Sequence, residues 1–160
     1  MDDKGPMSTW LRAHVPSLPD RAALEAFGRA LGERLPTPVV VTLSGDLGAG
    51  KTTLVRALCA GFGVTALEQV TSPTFGLVQE YAAPKGPVVH VDLYRLRHPR
   101  DLDALGWDEI VATAPVLLVE WPELALETLP AGTIDLHLAH DDAYPERRRL
   151  QVAVRDGAGR

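Results

Sequence analysis

An apolar, β-branched run, Val39-Val40-Val41-Thr42-Leu43-Ser44, passes directly into the stretch Gly45-Asp46-Leu47-Gly48-Ala49-Gly50-Lys51-Thr52-Thr53. A continuous run of this kind is the pattern of a strand buried on both faces. The residues that follow, TTLVRALCAGF, read as a helix ending near Gly61 and Gly63. Gly45, Gly50, Lys51 and Thr52 satisfy G-x-x-x-x-G-K-[ST], set where a buried strand meets a helix. Strand, phosphate loop and helix together predict an α/β chain with a three-layer P-loop NTPase-like fold.

Each residue of the loop has a chemical reason. Glycines admit backbone conformations that a side chain would forbid, so the chain can wrap a phosphate closely. The amides of Gly48, Ala49, Gly50, Lys51, Thr52 and Thr53 can then face phosphate oxygens, aided by the helix dipole. Lys51 brings a point charge to the β- and γ-phosphates. The Thr52 hydroxyl suits Mg²⁺, which takes oxygen ligands and keeps several waters. The loop predicts a nucleotide site.

Elsewhere, Leu18-Pro19-Asp20 precedes a helix whose Ala23, Leu24, Phe27, Leu31 and Leu35 share one face, with Asp20 as cap and Pro36 as stop. A strand from Phe75 to Tyr81, the turn Ala83-Pro84-Lys85-Gly86-Pro87 and the run VVHVDLYRL predict an antiparallel hairpin over 75–95. Short helical segments open at Pro99 and span Trp107 to Ala112, before the apolar strand PVLLVEW; Pro122 to Leu129 is expected to be helical. TIDLHLAH and RRRLQVAVR alternate with a period of two, as strands at the edge of the sheet do. The sheet is therefore expected to be mixed, with antiparallel hairpins and edge strands. The whole of 1–160 is expected to be one domain, with a flexible leader over 1–17 and a flexible tail over 156–160.

Mg²⁺ sites in phosphate-loop enzymes usually draw on a carboxylate at the tip of a neighbouring strand. Two strands qualify, one ending at Asp92 and one at Glu120; the residue pattern leaves open which acid meets the metal and which orients water. His90 lies two residues before Asp92 and shares its face, as a hydrogen-bonded core histidine or as a group that orients Asp92. Trp121 directly follows Glu120 and faces the other way if the strand continues. Thr71, Ser72 and Thr74 fall where nucleotide switches sense the γ-phosphate, and equally suit a proline-reinforced turn. His137 and His140, three apart on a strand, point to opposite faces and are expected to be structural.

Cys59 is the single cysteine, which excludes an internal disulfide and reads as a core thiol. The formal charge of −5 argues against a surface devoted to gripping nucleic acid. Arg147, Arg148 and Arg149 form the one basic cluster and read as a solvated strand face. No run is long and apolar enough to span a membrane, and MDDKGPMST lacks the features of a secretory signal, so a cytoplasmic protein is expected.

GDLGAGKTT, TSPTF, HVDLYRL and VEWPE, in this order and spacing, closely resemble the TsaE (YjeE) family of small bacterial P-loop ATPases, from about Leu18 to Leu129. The resemblance implies a role in the threonylcarbamoyladenosine modification of tRNA, at the adenosine beside the anticodon. It implies binding to a TsaD-TsaB heterodimer, with tRNA met indirectly through the complex, and ATP hydrolysis that supports turnover there. Carried over residue by residue, it implies that Lys51 and the neighbouring amides hold ATP, and that Thr52 with Glu120 holds Mg²⁺. Asp92 would be needed for hydrolysis. Thr71 to Thr74 would form a switch-like loop and Trp121 would stand at the functional surface. Ala22, Ala23 and Leu24 stand where relatives can offer a hydroxyl to the nucleotide, so no nucleotide contact is assigned there.

A GTPase is disfavoured, because the usual guanine motif begins Asn-Lys and the chain has no asparagine. A small-molecule kinase shares the loop and size class; Arg95, Arg97 and Arg100 are its only clustered candidates for a lid. A module that binds ATP without hydrolysing it is a third reading.

Overall fold

The structure, a computed structural model, describes residues 5–72 and 77–156. Its sheet contains β1 (Val39–Gly45), β2 (Val78–Tyr81), β3 (Val88–Asp92), β4 (Val116–Glu120), β5 (Ile134–His140) and β6 (Arg148–Val154), in the order β2-β3-β4-β1-β5-β6. β3, β4, β1 and β5 run parallel, while β2 and β6 close the two edges in antiparallel fashion. The apolar runs of β1, β3 and β4 occupy the interior, where both faces are covered. The hairpin expected over 75–95 is present as β2 and β3, with Val78 opposite Val91 and Tyr81 opposite Val88. β5 departs from expectation: it lies between β1 and β6, so of the last two strands β6 alone is at an edge. Its alternating pattern arises because Ile134, Leu136 and Leu138 are buried while Asp135, His137 and Ala139 between them are less so.

The helices are α1 (Pro6–His14), α2 (Arg21–Arg34), α3 (Lys51–Phe62) and α4 (Trp107–Thr113). Asp20 caps α2 as expected, its Oδ1 accepting the Ala23 amide at 2.8 Å. Leu24, Phe27 and Leu31 of α2 join Leu54, Val55 and Leu58 of α3 against Val41 and Leu43 of β1. Each fully buried leucine here contributes roughly 1.5–3 kcal/mol relative to an exposed one. Val40, Val91, Leu117 and Val119 point to the opposite face and pack under Leu102 and Trp107. The result is the expected arrangement of helix, sheet and helix. α2 and α3 approach closely through glycine: a Cβ on Gly32 would stand 2.2 Å from the Leu58 carbonyl oxygen, and one on Gly61 2.0 Å from that of Arg29.

Two further expectations need correcting. The flexible leader placed over 1–17 contains α1, which starts with Pro6 in its first turn and buries Leu11 among the α2-side core. The helix expected over Pro122 to Leu129 is instead two 3₁₀ turns, Pro122–Leu124 and Leu126–Thr128. The Ala125 carbonyl accepts both the amide and the hydroxyl of Thr128, which closes the turn early.

Candidate functional site

The parallel strands deliver Gly45, Asp92 and Glu120 to a single edge of the sheet, since these residues end β1, β3 and β4. Open α/β sheets bind ligands at the carboxyl ends of their strands. The loop leaving β1 is pressed against β5: the Asp46 amide donates to the Leu138 carbonyl at 3.2 Å. A Cβ on Gly45 would lie 1.7 Å from that same oxygen, so no larger residue fits. Gly50 then turns the chain into α3 with φ of 106°, in the left-handed region.

Leu54 is the first residue of α3 whose amide finds a carbonyl, that of Gly50 at 3.0 Å. The amides of Lys51, Thr52 and Thr53 are thus the open donors that a helix start leaves, directed at the loop. Ala49 differs from its neighbours, because its amide already donates to the Asp46 carbonyl at 3.1 Å. The Lys51 side chain is buried, and its Nζ donates to the carbonyls of Gly45 (2.9 Å) and Asp46 (2.6 Å). Burial lowers its pKa from the ordinary lysine value, against the pull of Glu120, Asp46, Glu123 and Asp92.

The Thr52 hydroxyl stands 3.4 Å from Glu120 Oε1. Glu120 is buried, and its other oxygen meets Nε2 of the wholly buried His90 at 2.9 Å. His90 Nδ1 in turn lies 3.0 Å from the Tyr81 hydroxyl. The structure therefore places His90 behind Glu120 and not behind Asp92, although His90 and Asp92 share a strand face. Sequence reading missed this because β3 and β4 are paired with Asp92 beside Glu120, a long-range register with no local signature. Asp92 is instead held by the Ser72 hydroxyl on Oδ2 at 2.8 Å and by the Tyr94 amide on Oδ1 at 2.9 Å. Ser72 thus joins the site. Thr71 is adjacent, its carbonyl 3.4 Å from the Tyr81 hydroxyl. Thr74 lies outside the described residues.

Trp121 does not face away as a continued strand would require. β4 stops at Glu120, and Trp121 takes a left-handed conformation (φ 56°). Its ring swings over Lys51 Nζ, 4.2 Å from the centroid, and packs on Tyr94 at 4.8 Å. A neighbouring groove runs between α2 and α3, with a volume of about 640 Å³, lined by Ala22, Ala26 and Ala57 and reaching Thr52, Thr53 and Ser72. Arg21, Glu25, Arg29 and Arg56 also line it.

His137 and His140 serve the framework. His137 Nδ1 lies 2.9 Å from the Ser44 hydroxyl, and the His140 amide donates to Asp46 Oδ2 at 3.2 Å. The basic cluster is only partly the solvated face expected, because Arg148 Nε donates to the Ala49 carbonyl at 2.9 Å. No signal in the local sequence marks that contact, which spans 99 positions.

Among the described residues no group of three or more His, Cys, Asp and Glu side chains is placed to hold a metal. Thr52 and Glu120 offer two oxygens at short range, and a hard cation that keeps waters and phosphate oxygens needs few protein ligands. The donor set fits Mg²⁺. Among the described residues no helix is long and apolar enough to cross a membrane.

A profile of the family described as "Threonylcarbamoyl adenosine biosynthesis protein TsaE" matches residues 18–150. The tRNA threonylcarbamoyladenosine biosynthesis protein TsaE of Haemophilus influenzae is 34% identical over 148 residues, covering 89% of this chain and 90% of that protein. The protein of the same name in Synechocystis is 41% identical over 118 residues, or 71% of this chain and 73% of its own length. That of Bacillus subtilis is 44% identical over 97 residues, 61% of this chain and 59% of the other. The crystal structure of Bacillus subtilis YdiB superposes with a TM-score of 0.60 at 28% identity, covering 85% of this chain and 82% of that one.

Proposed function

The chain belongs to the TsaE family, and from that premise we propose that it is an accessory ATPase of tRNA threonylcarbamoyladenosine biosynthesis. It uses ATP, and in this reading it hydrolyses ATP slowly alone and faster when bound to a TsaD-TsaB heterodimer. tRNA is met through that complex, in the cytoplasm, and residues 1–160 act as one ATPase domain. The observation that carries the reading is the convergence of Thr52, Glu120 and Asp92 on the end of the sheet beside Lys51, with Ser72 fastened to Asp92.

Lys51 would exchange its two carbonyl partners for phosphate oxygens of ATP. The open amides of Lys51, Thr52 and Thr53, with those of Gly48, Ala49 and Gly50, would line the phosphate chain; the Ala49 amide must first leave Asp46. The groove beside Thr53 suits the adenosine, with alanines along a flat base. Ala22, where no nucleotide contact is expected from the residue pattern, lies on its wall. Thr52 and Glu120 would hold Mg²⁺, which supplies positive charge at the phosphates when bound.

Asp92 would accept a hydrogen bond from the attacking water and so orient its oxygen toward the γ-phosphorus. A bond then forms from that oxygen to phosphorus, the bond to the β–γ bridging oxygen breaks, the water's proton passes to the released phosphate, and ADP and phosphate leave. Ser72 and the Tyr94 amide fix the carboxylate for this task. Trp121 and the residues 71–74 would face the partner and report the state of the nucleotide.

Phosphate release with purified TsaD-TsaB provides the test. Asp92→Ala is expected to retain ATP binding and lose the stimulated release together with tRNA modification. Unchanged release and modification in that variant would remove Asp92 from hydrolysis and leave a module that only binds ATP.

A further inference from the structure

We propose that Arg148 is a positioning residue for the phosphate loop, which aims the Gly50 amide into the phosphate cradle by holding the Ala49 carbonyl on the β6 side. This rests on the phosphate-binding reading of the loop and adds to it a residue from the last strand.

The peptide group between Ala49 and Gly50 is trans, since the cis bond among the described residues is Thr37–Pro38. In a planar trans peptide the carbonyl and the following N–H point in opposite directions. Whatever fixes the Ala49 oxygen therefore fixes where the Gly50 N–H points. Local sequence does not fix it: this plane turns about Ala49 ψ and Gly50 φ, and Gly50, at φ 106°, has the freedom that only glycine brings.

Arg148 supplies the missing constraint. Its Nε donates to the Ala49 oxygen at 2.9 Å, and Nη1 of the same guanidinium donates to the carbonyls of Pro145 and Arg147, each at 2.8 Å. Its own backbone amide donates to the Pro19 carbonyl at 2.9 Å, tying the start of β6 to the approach to α2. The planar guanidinium is thus gripped on its far side by the turn before β6, and it presents Nε to the loop as a fixed donor. A flexible surface arginine would not hold a peptide plane; this one is restrained at several points.

Two isosteric substitutions separate this role from simple charge. In Arg148→Gln the amide nitrogen occupies the place of Nε and can still donate to the Ala49 oxygen. In Arg148→Met a methyl group occupies that place and donates nothing. Both lose the positive charge, so any difference between them belongs to the hydrogen bond. Calorimetric titration with Mg·ATP is expected to show the Gln variant binding about fivefold to tenfold more tightly than the Met variant. In ¹⁵N–¹H spectra of the nucleotide-free protein, the Gly50 amide of the Gln variant should keep the parent position, while that of the Met variant moves.

Equal affinities in the two variants, with the parent binding ATP, would overturn the inference and leave the phosphate-binding reading standing. A parent chain that binds no ATP would remove both. Should the Met variant fail to fold, Arg148→Leu, which also places no donor there, takes its place. Weaker Mg·ATP binding than in the Gln variant supports the inference, and equal binding ends it.

Discussion

Lys51 already holds two carbonyls and lies against an indole ring, so a phosphate must replace contacts and not fill an empty space. Charge-assisted hydrogen bonds are the strong ones, and a buried ammonium aimed at phosphate should dominate affinity. Lys51→Ala is expected to weaken Mg·ATP binding about 10- to 100-fold by calorimetry. An affinity within twofold of the parent would mean that the amides alone carry the phosphates. Thr52 and Glu120 should behave differently. Each offers one oxygen to the same place, so Thr52→Ala and Glu120→Ala should each raise the Mg²⁺ concentration needed for half-maximal hydrolysis about tenfold, with smaller changes in ATP affinity. The Glu120 change should be the larger of the two, because it also strips Nε2 of the buried His90 of its partner. A Glu120 variant with an unaltered Mg²⁺ titration would remove that residue from the metal site.

At the level of elements, the phosphate loop depends on how closely α3 can lie along α2. Gly32 and Gly61 set that distance, since a Cβ at either would enter the carbonyl of the opposite helix. Alanine ordinarily favours a helix by about 1 kcal/mol over glycine. Here overpacking should win, and Gly32→Ala is expected to lower stability by about 1–3 kcal/mol in urea unfolding. A stabilised variant would show that the helices can part without cost. This closeness was not readable from the sequence, where both glycines sit inside an ordinary amphipathic pattern. What was readable had short-range causes: the β1 run, the loop, the Asp20 cap and the β2–β3 turn each announce themselves within a few residues. The second acid was legible as a choice between Asp92 and Glu120, because both end apolar runs. What was missed shares one origin. Trp121, His90, β5 and Arg148 take their places from contacts across the sheet, and α1 is held by Leu11 against a core assembled from elsewhere. A local pattern carries no record of a partner 30 or 99 positions away.

Across the whole molecule, the sheet separates two apolar cores, and the dryness of the α2-side core has a consequence for its response to alkali. Cys59 lies within it, and burial pushes its thiol from 9.0 up to about 12. Tyr81, at the other end of the His90 chain, is pushed from 10.0 up to about 12, also chiefly by burial. Below about pH 9 both folded and unfolded chains keep the thiol proton, and this group gives no pH dependence. Between 9.0 and about 12 the unfolded chain is a thiolate while the folded one is still a thiol. Unfolding then releases a proton, and stability falls as pH rises, by at most about 1.4 kcal/mol per pH unit for the one group. Tyr81 adds to the fall above its unfolded value of 10.0. Lys51 acts in the opposite sense: its folded pKa is lowered, so the unfolded chain binds the extra proton and stability rises with pH up to 10.5. A total stability curve mixes these slopes, but the difference between the parent and Cys59→Ala isolates the thiol. That difference, from urea unfolding under reducing conditions, should be constant from pH 7 to 8.5 and shrink steadily from pH 9 to 10, because only the parent loses the thiol's share. A difference that stays flat through pH 10 would mean that water reaches Cys59 in the folded protein, and the packing of α3 on β1 would have to be looser than its buried side chains describe.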